Sequence, residues 1–346
     1  MPAPSRTGLD RAALRADLRA AVPDATIALG ITVAIFGWLY ERVRAETSAT
    51  VAVMPFLADA NEYWMYWACQ AFGWSALLWA WLTTMLGLLR SGPGPRRRPV
   101  SAVRLERWHR STSLTTIGLM FAHAALFFAE LVRANSDGLG PLGRVWSAFV
   151  ETFVPGGYGS GTGVVAILLG LLALYLAIPL GLLYYFRGGT GARLWRALHR
   201  FVIVVYVLSV WHTLLYGTNV WFDGWPRTTL WLLQLPVALV LLARLLAPAR
   251  RAERARDASR PAWARVLWGG AVTAVLGAIA VVVAVVVTGR DGGRTPDVPS
   301  APLSVTQGMV WAGLAVFAVG VAATILVVRR SPVRPPRRTG DRTATG

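Results

Sequence analysis

Long apolar runs alternate along the chain with short polar stretches that carry most of the arginines. A helix crossing roughly 30 Å of hydrocarbon needs about 20 predominantly apolar residues. Runs near residues 25–40, 64–89, 111–132, 164–186, 200–217, 228–247, 265–288 and 308–328 meet or approach that length. Eight transmembrane helices are therefore predicted, and the fold class is all-α, a polytopic membrane helix bundle. The first run follows an arginine-bearing stretch and precedes Glu41, Arg42 and Arg44 without a small-residue cleavage site, so it reads as a retained span rather than a signal peptide. Residues 1–24 form a cytoplasmic segment. Leu14 and Leu18 oppose Arg11, Arg15 and Arg19 over residues 9–22, which suits a short helix lying on the membrane surface. The stretch 133–163 is glycine-rich and reads as a flexible connection with a short surface helix around Val145–Phe153. Residues 331–346, rich in Pro, Arg and Thr, are expected to be disordered.

Composition sharpens this picture. The chain has 346 residues, 55% hydrophobic and 15% charged, where soluble domains carry about 25% charged residues. Lipid is the partner such a surface needs. The net charge of +18 would suggest nucleic acid in a soluble protein, but here the arginines sit in loops between spans, so nucleic acid is not expected. With an even number of spans both termini share a side. That side carries the N-terminal arginines, the loops Arg90–Arg110, Arg187–Arg200 and Arg244–Arg265, and the tail from Arg329, 28 arginines against 7 opposite. Both termini are accordingly placed in the cytoplasm, with the chain in the cell membrane. The 16 tryptophans cluster near span ends, as interface anchors do. The one cysteine, Cys69, is expected to be a small buried residue.

The four histidines fall two per helix. His109 and His123 are 14 residues apart on the third span, and His199 and His212 are 13 apart on the fifth. At about 1.5 Å per residue these are rises of roughly 20 Å. Both spans run in the same direction, so the histidines form an inner pair, His109 with His199, and an outer pair, His123 with His212. Haem iron takes an axial imidazole on each face. Two stacked bis-histidine b-type haems use all four residues, whereas zinc gathers its ligands at one point. A histidine in a membrane helix also has a plainer use, a hydrogen bond to a neighbouring helix. The phases differ as well. Fourteen residues return to the same helix face within about 40°, but thirteen miss by about 140°. An irregular turn at His199, local rewinding or swung side chains would each accommodate that.

Arg107, Arg110, Arg196 and Arg200 flank the inner pair. Arginine grips carboxylates bidentately and could bind haem propionates; anchoring by the positive-inside bias explains the same residues. Gly118 would let a flat ring approach, or serve packing. Trp211 would pack beside the outer haem, or anchor the interface. Glu130 reads first as a solvated helix-end acid, with proton relay as its alternative.

The order and spacing resemble the ferric reductase-like transmembrane domain, the haem-bearing part of NADPH oxidases and ferric reductases and of the membrane haem subunit serving periplasmic methionine sulfoxide reductase. Leu194-Trp195-Arg196-Ala197-Leu198-His199-Arg200 is similar to that family's approach to its second haem helix, and Trp211-His212 with Tyr216-Gly217-Thr218 to the exit. The resemblance covers residues 25–247, a six-span haem core, and leaves two additional spans over 248–330. It implies transmembrane electron transfer by an oxidoreductase subunit carrying two haems, inward ligands His109 and His199 and outward ligands His123 and His212. Many relatives continue into flavin and NADPH domains; here no dinucleotide fingerprint follows a strand. A separate donor, a flavoprotein reductase or quinol, and an extracytoplasmic acceptor are therefore expected. A quinol-oxidising cytochrome b is a second reading, though its ligands lie on the second and fourth spans. A cofactor-free transporter or scaffold is a third, without the inverted repeats it would show.

Overall fold

The computed structural model describes residues 8–92, 100–247, 262–289 and 305–330. Among these residues there is no strand, and eight helical segments are long and apolar enough to cross a membrane. The chain is a multi-pass helical membrane protein. The side on which the first span begins and the eighth ends is called inner below.

Helix α1 spans Arg11–Arg44. Asp10 caps it, its carboxylate accepting the Ala13 N–H at 3.0 Å. The stretch expected to be a separate surface helix is instead continuous with the first span, through Pro23. Its inner half docks on the bundle. The Asp10 N–H donates to the Tyr185 carbonyl at 2.9 Å, and Asp17 accepts from Tyr185 Oη at 3.0 Å and pairs with Arg110 at 3.4 Å. Deeper along α1, Asp24 accepts from Trp79 Nε1 at 3.0 Å and Thr115 Oγ1 at 2.5 Å. These polar anchors on one helix face outweigh the pull of the arginine face toward a flat surface position.

A short helix α2 (Ala49–Val53) leads to α3 (Trp64–Ser91) and α4 (Ala102–Ala134). α4 starts earlier than its apolar run, because Ser101 caps it by accepting the Arg104 N–H at 3.3 Å. Asn135 ends it in the left-handed conformation, φ 41°. His109 thereby lies inside a regular helix. α5 (Pro141–Phe153) is the expected surface helix, one turn longer than its sequence pattern, with Leu142, Trp146 and Phe149 exposed on its apolar face.

α6 (Gly163–Leu182) is the most buried span. A tight turn and the four-residue α7 (Arg187–Thr190) join it to α8 (Ala192–His199). α9 (Val202–Tyr216) follows after a break at Arg200–Phe201. The sixth span is also broken, into α10 (Trp225–Leu232) and α11 (Gln234–Leu246). Pro236, three residues past the break at Leu233, can neither donate a backbone hydrogen bond nor tolerate the carbonyl one turn before it. The Leu233 carbonyl, at the break, accepts from Trp81 Nε1 at 2.9 Å. α12 (Ala262–Thr288) packs on α10 and α11, and α13 (Gln307–Arg330) on α6 and α8. The parts of the expected inner loops at 93–99 and 248–261, the outer stretch 290–304 and the expected disordered tail 331–346 lie outside the described residues.

Candidate functional site

Two antiparallel helix pairs build the site, α3 against α4 and α6 against α9. Each pair supplies a histidine at two levels. His109 and His199 have ring centroids 5.9 Å apart with planes at 81°; His123 and His212 are 6.0 Å apart at 75°. The structure thus brings His109 to His199 and His123 to His212. Among the described residues no three His, Cys, Asp or Glu side chains converge on one point; what meets is pairs.

The phase problem of the second helix has a structural answer. His199 is the last residue of α8, and a turn at Arg200–Phe201 separates it from α9, which carries His212. Of the three accommodations open at the sequence level, the irregular turn is the one found.

Each imidazole is fixed by its Nδ1, which donates to a backbone carbonyl of the facing helix. His109 reaches Thr83 at 3.0 Å, His123 reaches Cys69 at 2.8 Å, and His212 reaches Ala166 at 2.7 Å. His199 meets Leu180 at 3.5 Å, the longest of the four. A helix carbonyl already accepts the N–H four residues on, so a second donor must come in beside that residue. At three of the four places it is a glycine: Gly73, Gly87 and Gly170. A methyl added there would lie 3.0 Å from His123, 3.0 Å from His109 and 2.7 Å from His212. The fourth place is Tyr184, where the bond is longest.

An Nδ1–H held by a carbonyl fixes the tautomer and leaves Nε2 with a free lone pair, the usual arrangement of a ligating histidine. Two metal–imidazole bonds of about 2 Å leave roughly 1 Å per side between nitrogen and ring centre in a 6 Å gap. The donor set and spacing therefore fit a bis-imidazole metal group at each level.

The surroundings differ. The outer cavity, about 140 Å³, is bounded by apolar faces of α3, α4, α6 and α9 and closed by Tyr66, Gln70, Tyr216 and Asn219. Cys69, on its wall, places Sγ 3.3 Å from His123 Nδ1 and donates to the His123 carbonyl at 3.4 Å. Thr152 of α5 also lines it, and its buried hydroxyl has no partner. The inner cavity, about 30 Å³, is bordered by Arg90, Glu106, Arg110, Tyr184 and Trp195. Arg90 pairs with Glu106 at 3.5 Å.

Among the expected neighbours, Arg110 lines the inner cavity, whereas Arg196 and Arg200 are not part of its wall and Arg107 is exposed. Arg90, which the sequence reading had not singled out, takes their place. Gly118 is exposed and a Cβ there would meet nothing within 4 Å, so it makes no room for a ring. Trp211 is 46% exposed, in keeping with an interface anchor. Glu130 is not solvated: it is 6% exposed, because Arg133 one turn on holds both its oxygens at 2.6 and 3.0 Å while lying over the Tyr63 ring at 4.9 Å.

Fold and site together define a class: a multi-pass membrane protein whose four histidines meet in two pairs across a helix bundle. Residues 72–210 match the family described as ferric reductase like transmembrane component. The matched stretch is similar to that family's transmembrane domain; it opens beside Gly73 and takes in His109, His123 and His199, stopping two residues short of His212. No curated protein and no solved structure matches the chain.

Proposed function

We propose that the chain is the haem-bearing conduit of a membrane oxidoreductase, passing electrons from a donor on the cytoplasmic side to an extracytoplasmic acceptor. The observation that carries this is the meeting of four histidines in two pairs, 5.9 and 6.0 Å apart, with every Nδ1 turned to a backbone carbonyl. His109 and His199 would hold the inner b-type haem and His123 and His212 the outer one. Bound there, haem supplies a one-electron iron couple at each of two depths in the hydrocarbon. The chain's own imidazoles would supply two ligands to each haem, a donor set suited to electron transfer rather than to binding a further ligand. The apolar walls of α3, α4, α6 and α9 exclude water from the outer level, while Arg90 and Arg110 give the inner level positive charge suited to propionates.

The arginine bias, 28 against 7, supports the cell membrane with both termini in the cytoplasm. A flavoprotein reductase or quinol is the expected partner on the donor side. The ligand placement on the third and fifth spans favours this reading over a quinol-oxidising cytochrome b. A cofactor-free transporter has no use for four imidazoles that are each fixed with Nε2 free. Optical spectra of purified protein, oxidised and dithionite-reduced, test the proposal. Low-spin b-type bands with two haems per chain by pyridine haemochrome are expected; protein purified with no haem and unable to take it up would overturn it.

A further inference from the structure

Two N–H donors on the wall of the inner cavity have no hydrogen-bond partner although both atoms are buried: Trp195 Nε1 and Arg110 Nε. Unmade hydrogen bonds of this kind are costly, and a native structure that keeps two of them on residues lining one cavity calls for an acceptor. The two side chains are held in place. The Trp195 indole stacks on the His199 ring at 5.8 Å and 28°, and touches Tyr184 edge-on at 5.6 Å. The Arg110 head group donates from Nη1 to Tyr184 Oη at 2.9 Å and pairs with Asp17 at 3.4 Å. Its Nη1 is committed and its Nε is not.

We infer that Trp195 and Arg110 form a two-donor clamp for one carboxylate beside the inner histidine pair. The inference rests on the proposed haem ligation, and the carboxylate is a propionate of the inner haem. Charge decides between a carboxylate and a dianionic group. The charged side chains that line the cavity, Arg90 and Arg110 against Glu106, sum to one positive charge, and Asp17 draws on Arg110 from beyond the wall, which suits a carboxylate better than a dianionic phosphate. The indole N–H contributes a donor without adding charge, and the stack on His199 ties the clamp to the ligand itself. Of the four arginines the sequence offered for this role, Arg110 lines the cavity and Arg107, Arg196 and Arg200 do not, while a tryptophan expected only to mark the helix approach supplies the second donor.

The clamp is tested with full-length apoprotein reconstituted with haem or with haem dimethyl ester, whose carboxylates are masked. The His212→Ala background isolates the inner site. Esterification should weaken inner-site binding several-fold in the parent. Trp195→Phe keeps the stack and removes the N–H, so it should weaken haem binding and shrink the difference between haem and ester. Arg110→Lys, which keeps the charge and removes Nε, should do the same and serves if Trp195→Phe fails to fold. An undiminished haem-to-ester ratio in these variants overturns the clamp while leaving histidine ligation intact. Failure of the parent to bind either compound removes the haem reading and the clamp with it.

Discussion

The outer and inner histidine pairs are built to one plan and executed differently. At the outer level both imidazoles donate to carbonyls at 2.7 and 2.8 Å, both carbonyls stand beside glycines, and the walls are largely apolar. At the inner level one bond is regular, 3.0 Å, and one is stretched to 3.5 Å at a helix break where Tyr184 stands in the glycine's place. Guanidinium groups and carboxylates border that level. The difference teaches what each place must do. A site deep in the bundle must hold its group by backbone geometry alone, whereas one near the charged face can trade some of that regularity for side chains that grip an anion.

The strongest way to break the comparison is to remove a ligand. Each of His109→Ala, His123→Ala, His199→Ala and His212→Ala should lower the haemochrome count from two to one, with the outer substitutions leaving the inner spectrum unchanged. A variant that keeps both haems would remove that histidine from the ligand set. Next come the glycines. Gly170→Ala should weaken the outer site most, since its methyl would stand 2.7 Å from His212 Nδ1; overpacking of this kind costs about 1–3 kcal/mol. Gly73→Ala and Gly87→Ala, at 3.0 Å, should cost less, each at its own level. Haem retention on heating reads the order. Gly118→Ala is the control, predicted neutral or stabilising by up to about 1 kcal/mol through helix propensity; a loss of haem there would contradict the geometry. The smallest effects concern the outer wall. Cys69→Ala removes one weak donor to the His123 carbonyl and should shift the outer haem spectrum slightly without loss of haem. Thr152→Val should leave stability unchanged or raise it, because the hydroxyl it removes is buried and unpaired.

Much of this was legible in the sequence. Apolar runs gave the spans, and the histidine spacing gave the two levels. Another signal was present and unused: Gly73 and Gly87 are 14 residues apart on the second span, the same interval as His109 and His123 on the third. On antiparallel helices equal intervals face each other, so the glycines could have been read as the clearance for those imidazoles, in place of Gly118. The continuity of α1 was hidden because Pro23 and the arginines suggested a boundary, while the contacts that override it, Asp17 to Arg110 and Asp24 to Trp79 and Thr115, join residues far apart in the chain. Glu130 was misjudged for a related reason: a helix-end acid reads as solvated until the arginine one turn on is seen to cover it. The break after His199 could be named as one of three options but not chosen, since no proline or helix-ending glycine marks Arg200–Phe201.

The account depends on which imidazoles share a haem, and double substitutions read that directly by pyridine haemochrome. His123→Ala combined with His212→Ala should leave one haem per chain, the same as either alone, while His123→Ala combined with His199→Ala should leave none. One haem remaining in the second combination, or none in the first, would contradict the pairing.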